Sequence, residues 1–297
     1  MLLLGGTVAT LALAFLVVHL ALSGDQLSLG SIGGRVGLVE VLGDISESES
    51  VVEQLERLGR DPSVHAVVIR LDSPGGGVAA SQEIYEAVQK VRKEDKPVVA
   101  SLAGVAASGA YYVACAADTI VANPGTLTGS IGVIMLTVNA RGLLEKVGVE
   151  ANAITSGPRK DMGSPFRTMT AEEKAIFQSV IDSFYQRFLS VVQEGRPQLS
   201  GDQIKKLADG RIYSGEQAKA AGLVDDIGYL DEAIERAKKN AGLTEARIVT
   251  YRRHGEYQNN IYSRVLSGGS GLSNLANMDL LSLVRGGSPQ FMYLWMP

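Results

Sequence analysis

From residue 35 onward the hydrophobic pattern of the chain switches repeatedly between two periods. RVGLVEVLG (35–43) alternates as a strand does. SESVVEQLERLGRD (48–61) spaces its apolar residues by three and four and has a glycine near its end, which predicts a helix. VHAVVIRLD (64–72) is nearly continuous and β-branched, the pattern of a strand covered on both faces. SPGGG (73–77) breaks it. VAASQEIYEAVQKVRKE (78–94) is amphipathic and ends basic, as a helix C-terminus favours. PVVASLAG (97–104) is the next strand, and the run of small residues after it opens a helix at Ser108.

The second half continues this rhythm. Short strands are expected near 119–123, 131–136 and 150–156, with a helix over 140–148. TAEEKAIFQSVIDSFYQRFLSVVQEG (170–195) is a long helix, with Thr170 as N-cap and Glu173 completing a capping box. Helices near 200–208 and 214–221, a helix over 230–242 and a strand over 246–252 follow. Alternating strands and helices predict an α/β domain with largely parallel pairing. Beyond His254 the chain turns Gly/Ser/Asn-rich, carries a helix-like stretch over 274–287 and ends in the apolar SPQFMYLWMP, which holds the single tryptophan. An exposed tail of that kind is a liability, so it is expected to contact something.

The first 22 residues contain no Asp, Glu, Lys or Arg. About 20 apolar residues suffice for a helix to cross a bilayer, and a cleavable signal peptide has a shorter core and a basic start. Residues 1–22 are therefore read as a membrane anchor and 23–34 as a Gly/Ser linker. The flanks are not basic enough to set an orientation. Hydrophobic residues make up 45% of the 297, enough for a substantial core. The net charge of −4 comes with no basic block, which argues against a nucleic-acid partner. The single cysteine, Cys115, excludes an intrachain disulfide, and three scattered histidines make a zinc site improbable.

Four places carry candidate chemistry. The SPGGG turn lets backbone approach a ligand closely and offers N–H groups to a developing oxyanion; an ordinary tight turn is an equal reading. Ser108, between Ala107 and Gly109, is by itself a packing or N-cap serine. Its pairing with the glycine turn, after another strand of one sheet, favours a nucleophile. A serine nucleophile needs a base, and none of the histidines sits in a supporting motif. Lys160 lies in TSGPRKDMGSPFR, a Gly/Pro-punctuated loop, while the other lysines considered lie on solvated helix faces or helix ends. By spacing alone Lys160 remains a surface lysine, and Ser130 in GTLTGSIGV a turn or capping serine.

Taken together, LDSPGGGV, GVAASGAYYVACAAD, TLTGSIGV, TSGPRKDMGSPFR and DGRIYSGEQAKAAGLVDDIG resemble the S49 family of serine proteases in its short, signal peptide peptidase A form, over about residues 35–240. The resemblance implies an α/β fold, a crotonase/ClpP-like superhelix of ββα units, with the peptidase domain over 35–254 and a C-terminal extension over 255–297. It implies Ser108 as nucleophile, Lys160 as general base, Ser130 supporting that base, and Gly75 and Gly109 as oxyanion donors, with no metal or cofactor. It further implies a membrane-anchored, extracytoplasmic endopeptidase that degrades remnant signal peptides and other extended apolar peptides. The dyad would be shared between protomers of a ring-shaped homo-oligomer, and the apolar tail would enter a neighbour's groove or the ring interior. Competing readings are a stomatin-operon-type protease that processes membrane proteins, a crotonase-like acyl-CoA enzyme and a non-catalytic membrane scaffold.

Overall fold

The computed structural model describes residues 34–251 and 291–296. The expected anchor, most of the linker and the helix-like 274–287 lie outside the described residues. Among those described, no helix is long and apolar enough to cross a membrane.

Six parallel strands form the principal path of the eight-stranded main sheet. In spatial order they are β10 (Ala246–Val249), β1 (Gly34–Leu42), β2 (Val64–Ser73), β4 (Val98–Ala107), β5 (Thr119–Ala122) and β9 (Asp226–Ile227). The continuous apolar run of β2 is explained by its place near the middle. Val67 and Ile69 join the larger core, while Ala66 and Val68 join a smaller one on the other face. Helices α1 (Glu49–Arg60), α2 (Val78–Lys93) and α3 (Gly109–Ala114) contribute to the larger core. Ala233 and Ala237 of the C-terminal helix (Leu230–Asn240) belong to the smaller one.

The site is prepared at the far end of β4. Residues 99–102 pair with β5, but Val105–Ala107 pair with β6 (Leu127–Gly129), so the sheet divides there. β6 in turn carries antiparallel β8 (Ile212–Ser214). The C-terminal ends of β2, β4 and β6 converge at this fork, where open α/β sheets hold ligands. A second, three-stranded antiparallel sheet lies beside it: β3 (Gly75–Gly77), β11 (Phe291–Leu294) and β7 (Ile134–Met135), with β11 in the middle.

The long helix spans Ala171–Gly195, and its capping box is formed as expected: the Thr170 hydroxyl accepts from Glu173 N–H, and the Glu173 carboxylate accepts from Thr170 N–H. Replacing such a cap by alanine typically costs about 1 kcal/mol. Two expectations differ. The strand over 150–156 is absent; those residues are exposed and unpaired in any sheet. The strand over 131–136 shrinks to Ile134–Met135, because Ser130–Val133 turn away to line a cavity.

Candidate active site

Ser108 sits between the end of β4 and the start of α3 with φ 51° and ψ −113°. A non-glycine residue held there costs on the order of 1–3 kcal/mol, and such strain clusters at functional positions. Neighbouring backbone holds the turn: Ser108 N–H donates to Gly129 O at 2.8 Å, and Tyr112 N–H donates to Ser108 O at 2.8 Å. Ser130, the next residue after β6, is also at positive φ (49°), and its N–H donates to Arg211 O at 2.8 Å. Both serines are buried, and both line one cavity of about 410 Å³. The structure thus brings together two of the hydroxyls singled out in the sequence.

Gly75 and Gly109 lie at the same place. Gly75 has φ 104°, and a Cβ there would collide with the Tyr293 carbonyl oxygen and come within 2.7 Å of Gly109 N. A Cβ on Gly109 would lie 2.5 Å from Ser81 Oγ, 3.1 Å from the Tyr293 oxygen and 3.2 Å from Gly76 N. Only glycine permits this approach of three backbones. Gly109 is the first residue of α3, where an amide has no acceptor within its helix. Gly75 N–H donates to Ser73 Oγ at 3.0 Å, while Gly76 is the residue paired with Tyr293. Gly75 therefore supplies the close approach here, and its N–H reaches an oxyanion only by leaving Ser73.

The apolar tail crosses this point as a strand. Met292, Tyr293 and Leu294 pair with Gly77, Gly76 and Gly75, Trp295 N–H donates to Pro74 O at 2.9 Å, and Leu294 lines the cavity of Ser108. An extended peptide added to an open strand edge is a recurrent mode of peptide recognition. The tail was expected in a neighbour's groove or a ring interior; it lies in the groove of its own chain.

Lys160 is elsewhere. It is exposed, its N–H donates to Gly157 O at 3.2 Å, and it does not line the Ser108 cavity. The cavity's described lining contains no lysine or histidine; its titratable groups are Asp182, Asp209 and Tyr185. Asp209 is ion-paired with Arg211, and the Tyr185 hydroxyl donates to Ala208 O at 2.6 Å. The turn that presents Lys160 is nonetheless clamped. Arg167 Nε donates to Asp161 at 2.7 Å and its Nη1 to Glu173 at 2.9 Å. The Arg167 guanidinium holds the Glu173 carboxyl down at about 2 and also lowers Asp161. In the stretch of chain before this turn, 136–154, large apolar side chains are exposed: Leu136, Val138, Leu143, Val147, Val149 and a fully exposed Ile154.

A larger groove of about 780 Å³ runs between α1 and α2, with Glu53, Glu56, Glu83 and Glu86 in its lining. It shares no residue with the Ser108 cavity. Among the described residues no group of His, Cys, Asp and Glu is placed to hold a metal ion. Burial pushes the Cys115 thiol up to about 12, which makes it a core residue rather than a nucleophile.

The aromatic residues packed around Tyr293, chiefly Tyr112 and Phe188, did not emerge from the sequence as site residues. The available signal was Tyr112 itself, a large side chain inside an otherwise small-residue run.

Comparison with known proteins assigns the family. The family model described as peptidase family S49 matches residues 90–244, and that of Clp protease matches 38–126. An Enterococcus faecium protein assigned as a signal peptide peptidase SppA is 42% identical over 69% of this chain, which spans 59% of that protein's length. A protein of Methanocaldococcus jannaschii assigned as a protease is 38% identical over 80% of both chains. A protein of Synechocystis with the same assignment is 41% identical over 72% of this chain and 77% of its own. With the family model covering more than half of its residues, the chain belongs to peptidase family S49.

Proposed function

We propose that the protein is a membrane-anchored serine endopeptidase whose Ser108 attacks a peptide carbonyl while Lys160 of a neighbouring protomer acts as general base. The observation that carries this reading is an extended segment laid across the strained Ser108, its Tyr293 carbonyl against Gly75 and Gly109. Peptide backbone fits this groove by strand pairing, which favours a peptide over an acyl-CoA.

In the reaction, the neutral Lys160 amine takes the Ser108 proton as Oγ bonds to the carbonyl carbon. Gly109 and the Gly75–Gly76 turn stabilise the tetrahedral oxyanion; one such donor is typically worth about 100- to 1000-fold in rate. Lys160 then gives the proton to the leaving amine, the C–N bond breaks, and an acyl-Ser108 remains. Water activated by Lys160 releases it. Ser130, on the same cavity, accepts a hydrogen bond from the incoming amine and orients it.

Two facts support a base supplied in trans. Within the described residues the Ser108 cavity has no lysine or histidine of its own. Lys160 sits on a clamped, exposed turn that follows a stretch rich in exposed apolar side chains, as a residue meant for a partner copy would. The ring assembly, the anchor over 1–22, the extracytoplasmic placement and the crotonase/ClpP-like winding of ββα units belong to the same proposal, supported by the motif resemblance and the Clp protease match. Its substrates are remnant signal peptides and similar apolar segments, which begin in the bilayer where the anchor holds the enzyme.

A serine-directed fluorophosphonate tests the site. Labelling is expected on wild-type protein and absent from Ser108→Ala and Lys160→Ala. Undiminished labelling of Lys160→Ala would refute the dyad.

A further inference from the structure

Ser81 stands one turn inside α2 and is wholly buried, yet its hydroxyl has no hydrogen-bond partner. A serine inside a helix commonly bonds the carbonyl four residues back, here that of Gly77, and this one does not. Buried hydroxyls nearby along the same sheet are engaged. Ser73 Oγ accepts from Gly75 N–H at 3.0 Å, Thr126 donates to Ala103 O at 2.6 Å and Thr128 to Ala106 O at 2.7 Å. Burying an unpaired hydroxyl costs stability, so Ser81 calls for a reason other than packing.

Its position supplies one. A methyl group on Gly109 would lie 2.5 Å from Ser81 Oγ, 3.1 Å from the Tyr293 carbonyl oxygen and 3.2 Å from Gly76 N. The hydroxyl and the carbonyl of the segment lying across Ser108 thus face one small space beside the first amide of α3. The hydroxyl is near that carbonyl without being bonded to it. Such an arrangement suits a donor aimed at the oxyanion rather than at the ground-state oxygen. As Ser108 Oγ bonds to the carbonyl carbon, the π pair moves onto the oxygen, which leaves the peptide plane and gains charge. A hydrogen bond made only then lowers the barrier without tightening substrate binding.

We infer that the Ser81 hydroxyl donates to the tetrahedral oxyanion, as a side-chain donor beside the Gly109 amide. The inference deepens the peptidase reading and rests on it. It also gives glycine at 109 a second use, since any side chain there would fill the space between hydroxyl and carbonyl.

The test is Ser81→Ala in the full-length protein, which removes a single oxygen. On an apolar peptide kcat is expected to fall about 100-fold, with KM within about twofold. The second readout is a peptide boronic acid carrying the tail's own Phe-Met-Tyr sequence. Its boron takes the Ser108 oxygen and becomes a tetrahedral anion, so Ser81→Ala is expected to weaken it by about the same factor as kcat. The same peptide as an amide, titrated by calorimetry into Ser108→Ala with and without Ser81→Ala, is expected to bind equally. Thermal unfolding is expected to rise by about 2 °C, because an unpaired buried group has gone. An unchanged ratio of boronate to amide affinity would overturn the inference, and so would a loss of kcat matched by a loss of folded protein. Failure of the wild type to hydrolyse any peptide or to take up the boronate would sink the peptidase reading instead.

Discussion

The surroundings of Ser108 and those of Lys160 differ in almost every physical respect. Ser108 is 1% exposed, strained, held from both sides by backbone hydrogen bonds and roofed by a strand from the other end of the chain. Lys160 is exposed on a turn tied down by the Arg167–Asp161, Arg167–Glu173 and Arg159–Glu172 ion pairs, and the stretch before it carries large apolar side chains that no described residue covers. On the proposed reading, Ser108 is the half of a catalytic site finished within the protomer and Lys160 the half displayed outward. Such a division is economical only if a second copy brings the halves together, and it would keep an isolated protomer inert.

The contrast is broken most severely at its two poles. Ser108→Ala and Lys160→Ala should each lower peptide hydrolysis by at least about 10⁴-fold, read as kcat/KM on an apolar peptide. Next in size is the backbone hole: Gly109→Ala should cost about 100- to 1000-fold, since its Cβ would meet Ser81 Oγ and crowd the carbonyl position. The Ser108 half is sharpened by removing its roof. Truncation after Gly287 should raise turnover of added peptides about tenfold or more, by eliminating a tethered competitor; unchanged KM and kcat would mean the tail leaves the groove unaided.

The Lys160 half carries the smaller effects. Ile154→Asp or Val147→Asp should weaken association measurably by sedimentation and reduce activity most at low protein concentration, while thermal unfolding of the protomer stays the same. Least conspicuous is the clamp. Because the Glu173 carboxyl lies at about 2, below its ordinary range, its contribution is complete above that range and is lost as pH falls through about 2. Arg167→Ala should loosen residues 157–164 already at neutral pH, as faster amide exchange there, a change the wild type shows only in strong acid.

What was legible in the sequence follows the same division. The buried run of β2 and the capped helix after Thr170 carry their own local signals, and each formed as expected, whereas the glycines expected as a turn form the strand β3. Ser108 and Ser130 could be named because small residues around a lone hydroxyl mark a crowded backbone. Strands of two or three residues such as β6, β8 and β9 are too short for a period to show; β6 and β8 build on the edge that β4 leaves at its fork, and β9 pairs with β5. The apolar spacing at 150–156 suggested a strand, but those residues find no strand partner among the described residues. The aromatic packing around Tyr293 is the deepest omission. Tyr112, Phe188 and Tyr293 meet only through the fold, across distances in sequence that no local pattern spans.

The proposed division of the site between protomers is tested most directly by mixing. Full-length Ser108→Ala and Lys160→Ala proteins, each inactive alone, are combined under conditions where subunit exchange is verified by mass. Each mixed interface then pairs an intact Ser108 with an intact Lys160, and peptide hydrolysis is expected to return to a substantial fraction of the wild-type rate. No recovery despite confirmed exchange would contradict a dyad completed in trans and place the base within the same chain.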